Sequence, residues 1–331
     1  MDITAYLDSL KFADLVNALP GGIANGIIWG LVALGVYITF RLVDIADLSV
    51  DGTFCTGGAV TVMLILNGVN PYYAMLIALA CGLIAGTVTG LLHTVLGIPA
   101  ILAGILTQYA LYSINLAIMD MKANTAVSVS KFTLAVSLRY ISYSIEVGAV
   151  LVLIVIALLY AYFGTEQGSA IRATGCNPEM AKANGININT MKIIALALSN
   201  GIVAFAGGVM AQYQGFADIN MGRGAIVIGL AAVIIGEVIG DALFRKHMNF
   251  ALRLFFVALG GVIYYIVVVI VLWLKLDTNY LKLLTALIVA LFLAVPYLQK
   301  KRKASFGKAG KQAKKFAASL EAEESSEGKE S

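Results

Sequence analysis

A chain of 331 residues that is 60% hydrophobic and only 13% charged, with a formal net charge of +4, carries too much apolar surface for a soluble domain, where about a quarter of residues are charged. Its mean hydropathy of +0.88 puts most of that surface against lipid. These figures exclude a soluble enzyme, and nucleic acid is not an expected partner.

Charge-free windows mark the spans. No Asp, Glu, Lys or Arg occurs over Leu15–Phe40, Gly52–Met119, Val147–Thr165, Ile193–Ala217, Leu254–Leu274 or Leu283–Gln299. With about 20 residues needed per span, helices are expected at about 19–40, 52–67, 72–94, 98–119, 145–163, 192–213, 223–240, 252–274 and 281–298. The expected fold is all-α: a polytopic bundle of about nine spans, eight to ten. The segment before them, 1–18, carries Asp2, Asp8 and Asp14 against Lys11, the wrong charge for a signal peptide. The second helix is short for a full span, with Gly57 and Gly58 in its first turns. It is expected to be tilted, broken or partly re-entrant. Pro99 suits the first turn of the fourth helix.

Orientation follows the basic residues of short flanks. Lys300, Lys301, Arg302 and Lys303, followed by Lys308, Lys311, Lys314 and Lys315, put the C-terminus in the cytoplasm. The 41–51 loop, the 164–192 insert and the loop holding Arg245 and Lys246 then fall on the same side, and the N-terminus outside. The 120–146 stretch falls outside despite Lys122, Lys131 and Arg139. After the membrane domain, 19–299, the tail 300–331 turns from basic to acidic and is expected to be disordered, its basic half suited to anionic lipid.

The insert Gly164–Lys192 is the longest polar stretch between cytoplasmic span ends. Asn177 reads as a helix N-cap, Pro178 as the first helical residue and Glu179 as a first-turn acid. Gly185 reads as the helix stop, and Asn189 or Thr190 as the cap of the next span. Ala181, Ala183 and Gly185 keep the surface of this short helix low, so it is shaped to drop into a groove on a partner.

That insert resembles the cytoplasmic coupling loop of ABC importer permeases, and most closely that of the branched-chain amino acid and ribose permease superfamily. The family reads R-A-x-G, then N-x-x-x-A-x-x-x-G-I-N. Here stand Arg172, Ala173 and Gly175, then Asn177, Ala181, Gly185, Ile186 and Asn187. The early run Asp44–Gly52, with its LSVDG ending, and Gly57-Gly58-Ala59 are also similar to the start of these permeases. The LSVDG form is most like a subgroup associated with aromatic amino acid uptake. The resemblance implies an inverted-repeat permease in the cell membrane without catalytic residues of its own. It also implies a separate ABC ATPase, an extracytoplasmic substrate-binding lipoprotein, and a second permease copy, expected to be identical. Asn177, Pro178, Glu179, Ala181, Lys182, Gly185 and Ile186 would then form the ATPase-coupling helix.

Few ionisable groups fall within spans, where they mark function by default. Glu237, Asp44, Asp47 and Asp51 read as helix-end or interface groups. Gln108, Asn115, Thr107, Asn25 and Asn200 are candidate pathway-lining residues, with helix-to-helix hydrogen bonding as the plainer role for each. Gly82, Gly86 and Gly90 read as one close-contact face. Asn25-Gly26-Ile27 echoes Asn200-Gly201-Ile202, a faint sign of two repeats in opposite topology. The odd set Cys55, Cys81 and Cys176, and the separated His93 and His247, give neither a disulfide framework nor a metal site, and no cofactor is expected.

The leading expectation is therefore an importer permease for a small solute such as an amino acid, with a sugar or nucleoside as alternative cargo. A secondary carrier or channel is the competing class, but it would usually carry midplane charges. An intramembrane enzyme would need nucleophile, base or metal motifs that the spans lack.

Overall fold

The structure is a computed structural model that describes residues 12–244 and 248–274 and, beyond them, positions 283, 286, 287, 290 and 294. The expected ninth span, 281–298, thus lies almost wholly outside the described residues, as do residues 1–11, the tail, and Arg245, Lys246 and His247.

Among the described residues seven helices are long and apolar enough to cross a membrane, and an eighth apolar helix is shorter. In chain order they are α1 (Phe12–Tyr37), extended by a π-helical turn over Ile38–Leu42, the short α2 (Val50–Leu66), α3 (Pro71–Thr94), α4 (Ala100–Ile118) and α5 (Ile141–Phe163). The polar insert forms α6 (Glu166–Cys176) and α7 (Pro178–Ala183), and the chain continues as α8 (Ile188–Gln214), α9 (Ala225–Phe244) and α10 (Phe250–Trp273). Two three-residue strands, β1 (Asn124–Ala126) and β2 (Phe216–Asp218), pair antiparallel with Thr125 opposite Ala217.

Several expected bounds shift. The first helix starts at Phe12 rather than 19, and Pro20 sits inside it. Pro99 is the N-cap of α4 rather than a first-turn residue. The cap of α8 is Asn187, whose side chain accepts from the Thr190 amide at 3.2 Å, in place of Asn189 or Thr190. The insert holds two helices where one was expected.

The C-terminal half of α1 and nearly all of α8 from Ala195 to Tyr213 are buried. Helices apolar on every side belong in an interior, and these two form the centre. The outer faces of α3, α4 and α5 expose Leu76, Ile84, Leu106 and Leu153, as a lipid boundary requires. Glycines let the central helices be approached at backbone distance. Gly82, Gly86 and Gly90 of α3 face Gly201, Ala197 and Ile193 of α8, the close-contact stripe read from their spacing. Gly26 and Gly30 of α1 meet Val262 and Ala258 of α10 in the same manner.

The short α2 spans 17 residues, about 25 Å at 1.5 Å per residue, against a hydrocarbon core of about 30 Å. The chain reaches its start through a non-helical segment, 43–49, in which Val43, Ile45, Asp47 and Ser49 are buried. Irregular backbone at such depth needs internal partners. The Asp47 Oδ1 accepts from the Ser49 amide at 2.9 Å and the Ser49 hydroxyl at 2.6 Å. Its Oδ2 accepts from Asn200 Nδ2 at 2.7 Å. Thr53 donates to Asn200 Oδ1. Asn200 stands near the middle of α8, so this buried network fixes the start of α2 at that level.

Candidate functional site

Two places carry unusual chemistry. The first is the insert. Thr165 caps α6 by accepting from the Gly168 amide at 3.3 Å. Arg172, on α6, donates to the carbonyl of Phe163 at the end of α5, 3.0 Å away. Its guanidinium also lies 5.6 Å from the ring centre of Phe250, the first residue of α10, a cation–π distance. One turn on, Gly175 stands so close to the Leu42 carbonyl and to Val43 that any side chain there would collide with backbone. The glycine of the R-A-x-G pattern thus packs the insert against the end of α1, and its arginine ties the insert to the end of α5 and the start of α10.

Asn177 caps α7, its Oδ1 accepting from the Met180 amide at 3.1 Å, with Pro178 in the first turn. The helix stops with Ile186 N–H donating to Ala181 and Gly185 N–H to Lys182, both at 3.0 Å. Gly185 has φ +79°, where a side chain is strained. Ala181 is fully buried, Ile186 is half-buried, and Glu179, Met180 and Lys182 are exposed. Exposed and buried faces of so short a helix make a knob seated on the protein and open to a partner.

The second place is a cavity of about 700 Å³. Asp51, Gly52 and Cys55 of α2 line it, with Ile105, Gln108, Tyr109, Tyr112 and Asn115 of α4. Ile219 and Arg223 of the segment before α9 complete it. Asp51 joins α2 to α9 here. Its Oδ2 accepts from Gly224 N–H at 2.9 Å and its Oδ1 from Ile226 N–H at 3.0 Å. A carboxylate in the first turn of α2 therefore caps the N-terminus of α9, where orphan amides and the helix dipole favour negative charge.

A family model described as "Branched-chain amino acid transport system / permease component" matches residues 19–308. This chain belongs to that family. The permease is the transmembrane component of an ABC importer, a multi-pass membrane protein, and components of this kind have no catalytic activity. Its ABC assignment implies ATPase and binding-protein partners in general. It is 37% identical over 270 residues to a tyrosine transport system permease protein of Clostridioides difficile, covering 82% of this chain and 88% of that one. Over 212 residues it is 29% identical to the autoinducer 2 import system permease protein LsrC of Yersinia pseudotuberculosis, covering 63% of this chain and 58% of that one. PsaBC from Streptococcus pneumoniae in complex with Fab aligns over 81% of this chain and 95% of that one, with 17% identity and a TM-score of 0.36.

The permease distributes the five candidate lining residues unevenly. Gln108 and Asn115 line the cavity. Asn115 donates from Nδ2 to the Gly52 carbonyl at 3.2 Å, while its buried Oδ1 has no hydrogen-bond partner among the described residues. Thr107 instead accepts from Thr89 at 2.9 Å, joining α4 to α3. Asn25 donates to Gly21 within its own helix at 3.0 Å, and Asn200 belongs to the Asp47 network. Glu237 pairs with Arg41 at 2.9 Å, joining α9 to the end of α1.

Sequence reasoning did not bring Arg223, Asp51 and Cys55 together at a cavity: Asp51 reads there only as a helix-end or interface group, Cys55 only as one of three cysteines, and Arg223 is not singled out. Their shared site depends on α2 and the 215–224 segment meeting in space, and no local spacing in the sequence encodes that meeting.

Proposed function

We propose that this permease lines the pathway of an importer for an amino acid, aromatic ones included, and takes its power from an ATPase docked on α6 and α7. The observation that carries the reading is the insert. Gly175 packs α6 against the end of α1, Arg172 ties it to the end of α5 and to Phe250 of α10, and α7 presents Glu179, Met180 and Lys182 outward. A push on this insert reaches Leu42, then the 43–49 segment, then Asp51 and Gly52 at the cavity. The coupling set Asn177, Pro178, Glu179, Ala181, Lys182, Gly185 and Ile186 fits that role.

The basic flanks support a cytoplasmic insert and C-terminus, with the cavity fed from the other side by a substrate-binding lipoprotein in the cell membrane. The membrane domain is 19–299, with the helix of its first span begun already at Phe12 within the extracytoplasmic segment 1–18, and it is followed by a charged tail, 300–331. An inverted repeat is supported by packing: α3 and α8 approach through glycines of α3, and α1 and α10 approach through glycines of α1. The name of the tyrosine transport relative and the exposed rings of Tyr109 and Tyr112 at the cavity support an aromatic amino acid as cargo. A second, identical copy completes the pathway.

Gly185→Val tests the coupling role, because the space around Gly185 is open and only its backbone conformation resists a side chain. The variant is expected to insert normally but to lose ATPase capture, or to hydrolyse ATP without uptake. Wild-type capture and wild-type uptake by this variant would contradict the reading.

A further inference from the structure

The cavity is lined by two residues of charged type, Asp51 and Arg223, and only one of them is without a partner among the described residues. Both oxygens of Asp51 are already engaged by the amides of Gly224 and Ile226 at the α9 N-terminus. Arg223 is the residue just before that turn. Its backbone amide donates to Asn220 at 3.0 Å. Its side chain is exposed at the cavity and makes no ion pair or hydrogen bond among the described residues. A cation within a membrane protein without a counter-charge is costly unless water or a ligand meets it. On the same cavity wall, Asn115 carries a buried Oδ1 with no donor and Gln108 an amide with no hydrogen bond among the described residues. Among the described residues the cavity therefore supplies one unpaired cation, one orphan acceptor and two exposed tyrosine rings, while both oxygens of its one carboxylate are engaged by backbone amides.

We infer that Arg223 reads the carboxylate of the solute while Asn115 Oδ1 accepts a hydrogen bond from the solute's ammonium group. The inference rests on the importer reading above and adds what the pathway selects: a carboxylate-bearing zwitterion rather than a neutral sugar. A guanidinium presents paired N–H donors that match a carboxylate's two oxygens. An unpartnered buried carbonyl oxygen is completed by an N–H donor and gains nothing from an apolar group. Tyr109 and Tyr112 then offer ring faces to an aromatic side chain or to the ammonium.

The test uses the assembled importer in proteoliposomes with trapped ATP, and L-tyrosine as the probe. Arg223→Gln is expected to lower uptake per ATP hydrolysed by roughly tenfold or more, the scale of losing one charge-assisted pair. Arg223→Lys is expected to recover part of the loss, since it keeps the charge without the fork. Affinity for the binding protein should be unchanged in both. Uptake by Arg223→Gln within twofold of wild type would overturn the inference. So would a weakened grip on the binding protein with normal uptake per bound complex, which would make Arg223 a docking residue. If the wild type turns over ATP yet imports no amino acid, the importer reading fails and this inference falls with it. A second measurement needs no variant: the wild-type permease in detergent is heated with L-phenylalanine or with phenethylamine, which lacks the carboxylate. Stabilisation by the amino acid alone is expected, and equal shifts from the two compounds would contradict the role of Arg223.

Discussion

Gly175 and Leu42 meet backbone to backbone, with the Cα of the glycine against the carbonyl of the residue that ends α1. No rotamer can relieve a side chain placed there, because the obstacle is main chain. Gly175→Val is therefore expected to push the insert off α1, at a cost of about 1–3 kcal/mol as for overpacking elsewhere. ATP-driven uptake should fall several-fold while membrane insertion persists. Uptake assays beside a measure of membrane-inserted protein check this.

The Asp47–Asn200 pair should matter to stability more than any surface contact. Asn200 is wholly buried and holds Asp47 at 2.7 Å while receiving the hydroxyls of Ser49 and Thr53. Asn200→Ala strands several buried polar atoms, each worth about 1–3 kcal/mol when left unsatisfied. Asn200→Asp sets a second carboxylate beside the first and should be worse. Thermal unfolding in detergent should rank wild type above the alanine variant and the alanine variant above the aspartate variant.

Asp51 caps two amides of α9 with two oxygens. Asparagine retains one acceptor, and alanine none. Loss of a cap costs about 0.5–2 kcal/mol, so the order of stability should be wild type, Asp51→Asn, Asp51→Ala. Hydrogen exchange of the α9 amides should quicken in the same order.

Much of this architecture was legible in the sequence, and the reasons differ by element. Long charge-free windows place the long described spans to within a few residues, except for the start of α1 at Phe12 rather than 19, because lipid demands about 20 apolar residues from each. Asn177, Pro178 and Gly185 were readable because caps and stops are local, set by side chains within a few residues of the amides they serve. The helix α6 was missed because Gly168 and Gly175 argue against a helix. They are tolerated because they press on Phe163 and Leu42, a tertiary reason. The β1–β2 ribbon is too short to show alternation. The Asp47 network joins residues 153 positions apart and the cavity's Asp51 contact residues 173 apart, which no periodicity reports.

The Arg41–Glu237 pair is expected to contribute little. Arg41 is 54% exposed, so solvent screens the 2.9 Å contact. Glu237→Gln should change stability by less than about 1 kcal/mol, with the difference shrinking further in high salt. Melting curves at low and high ionic strength check it.

The central claim is that another protein's ATP cycle drives transport through this chain by way of α6 and α7. The most direct measurement is amino acid uptake into proteoliposomes holding the permease alone, or the permease with its ATPase and binding protein, with and without trapped ATP. Uptake is predicted only when both partners and ATP are present. Accumulation driven by a solute or ion gradient in vesicles holding this chain alone would contradict the account.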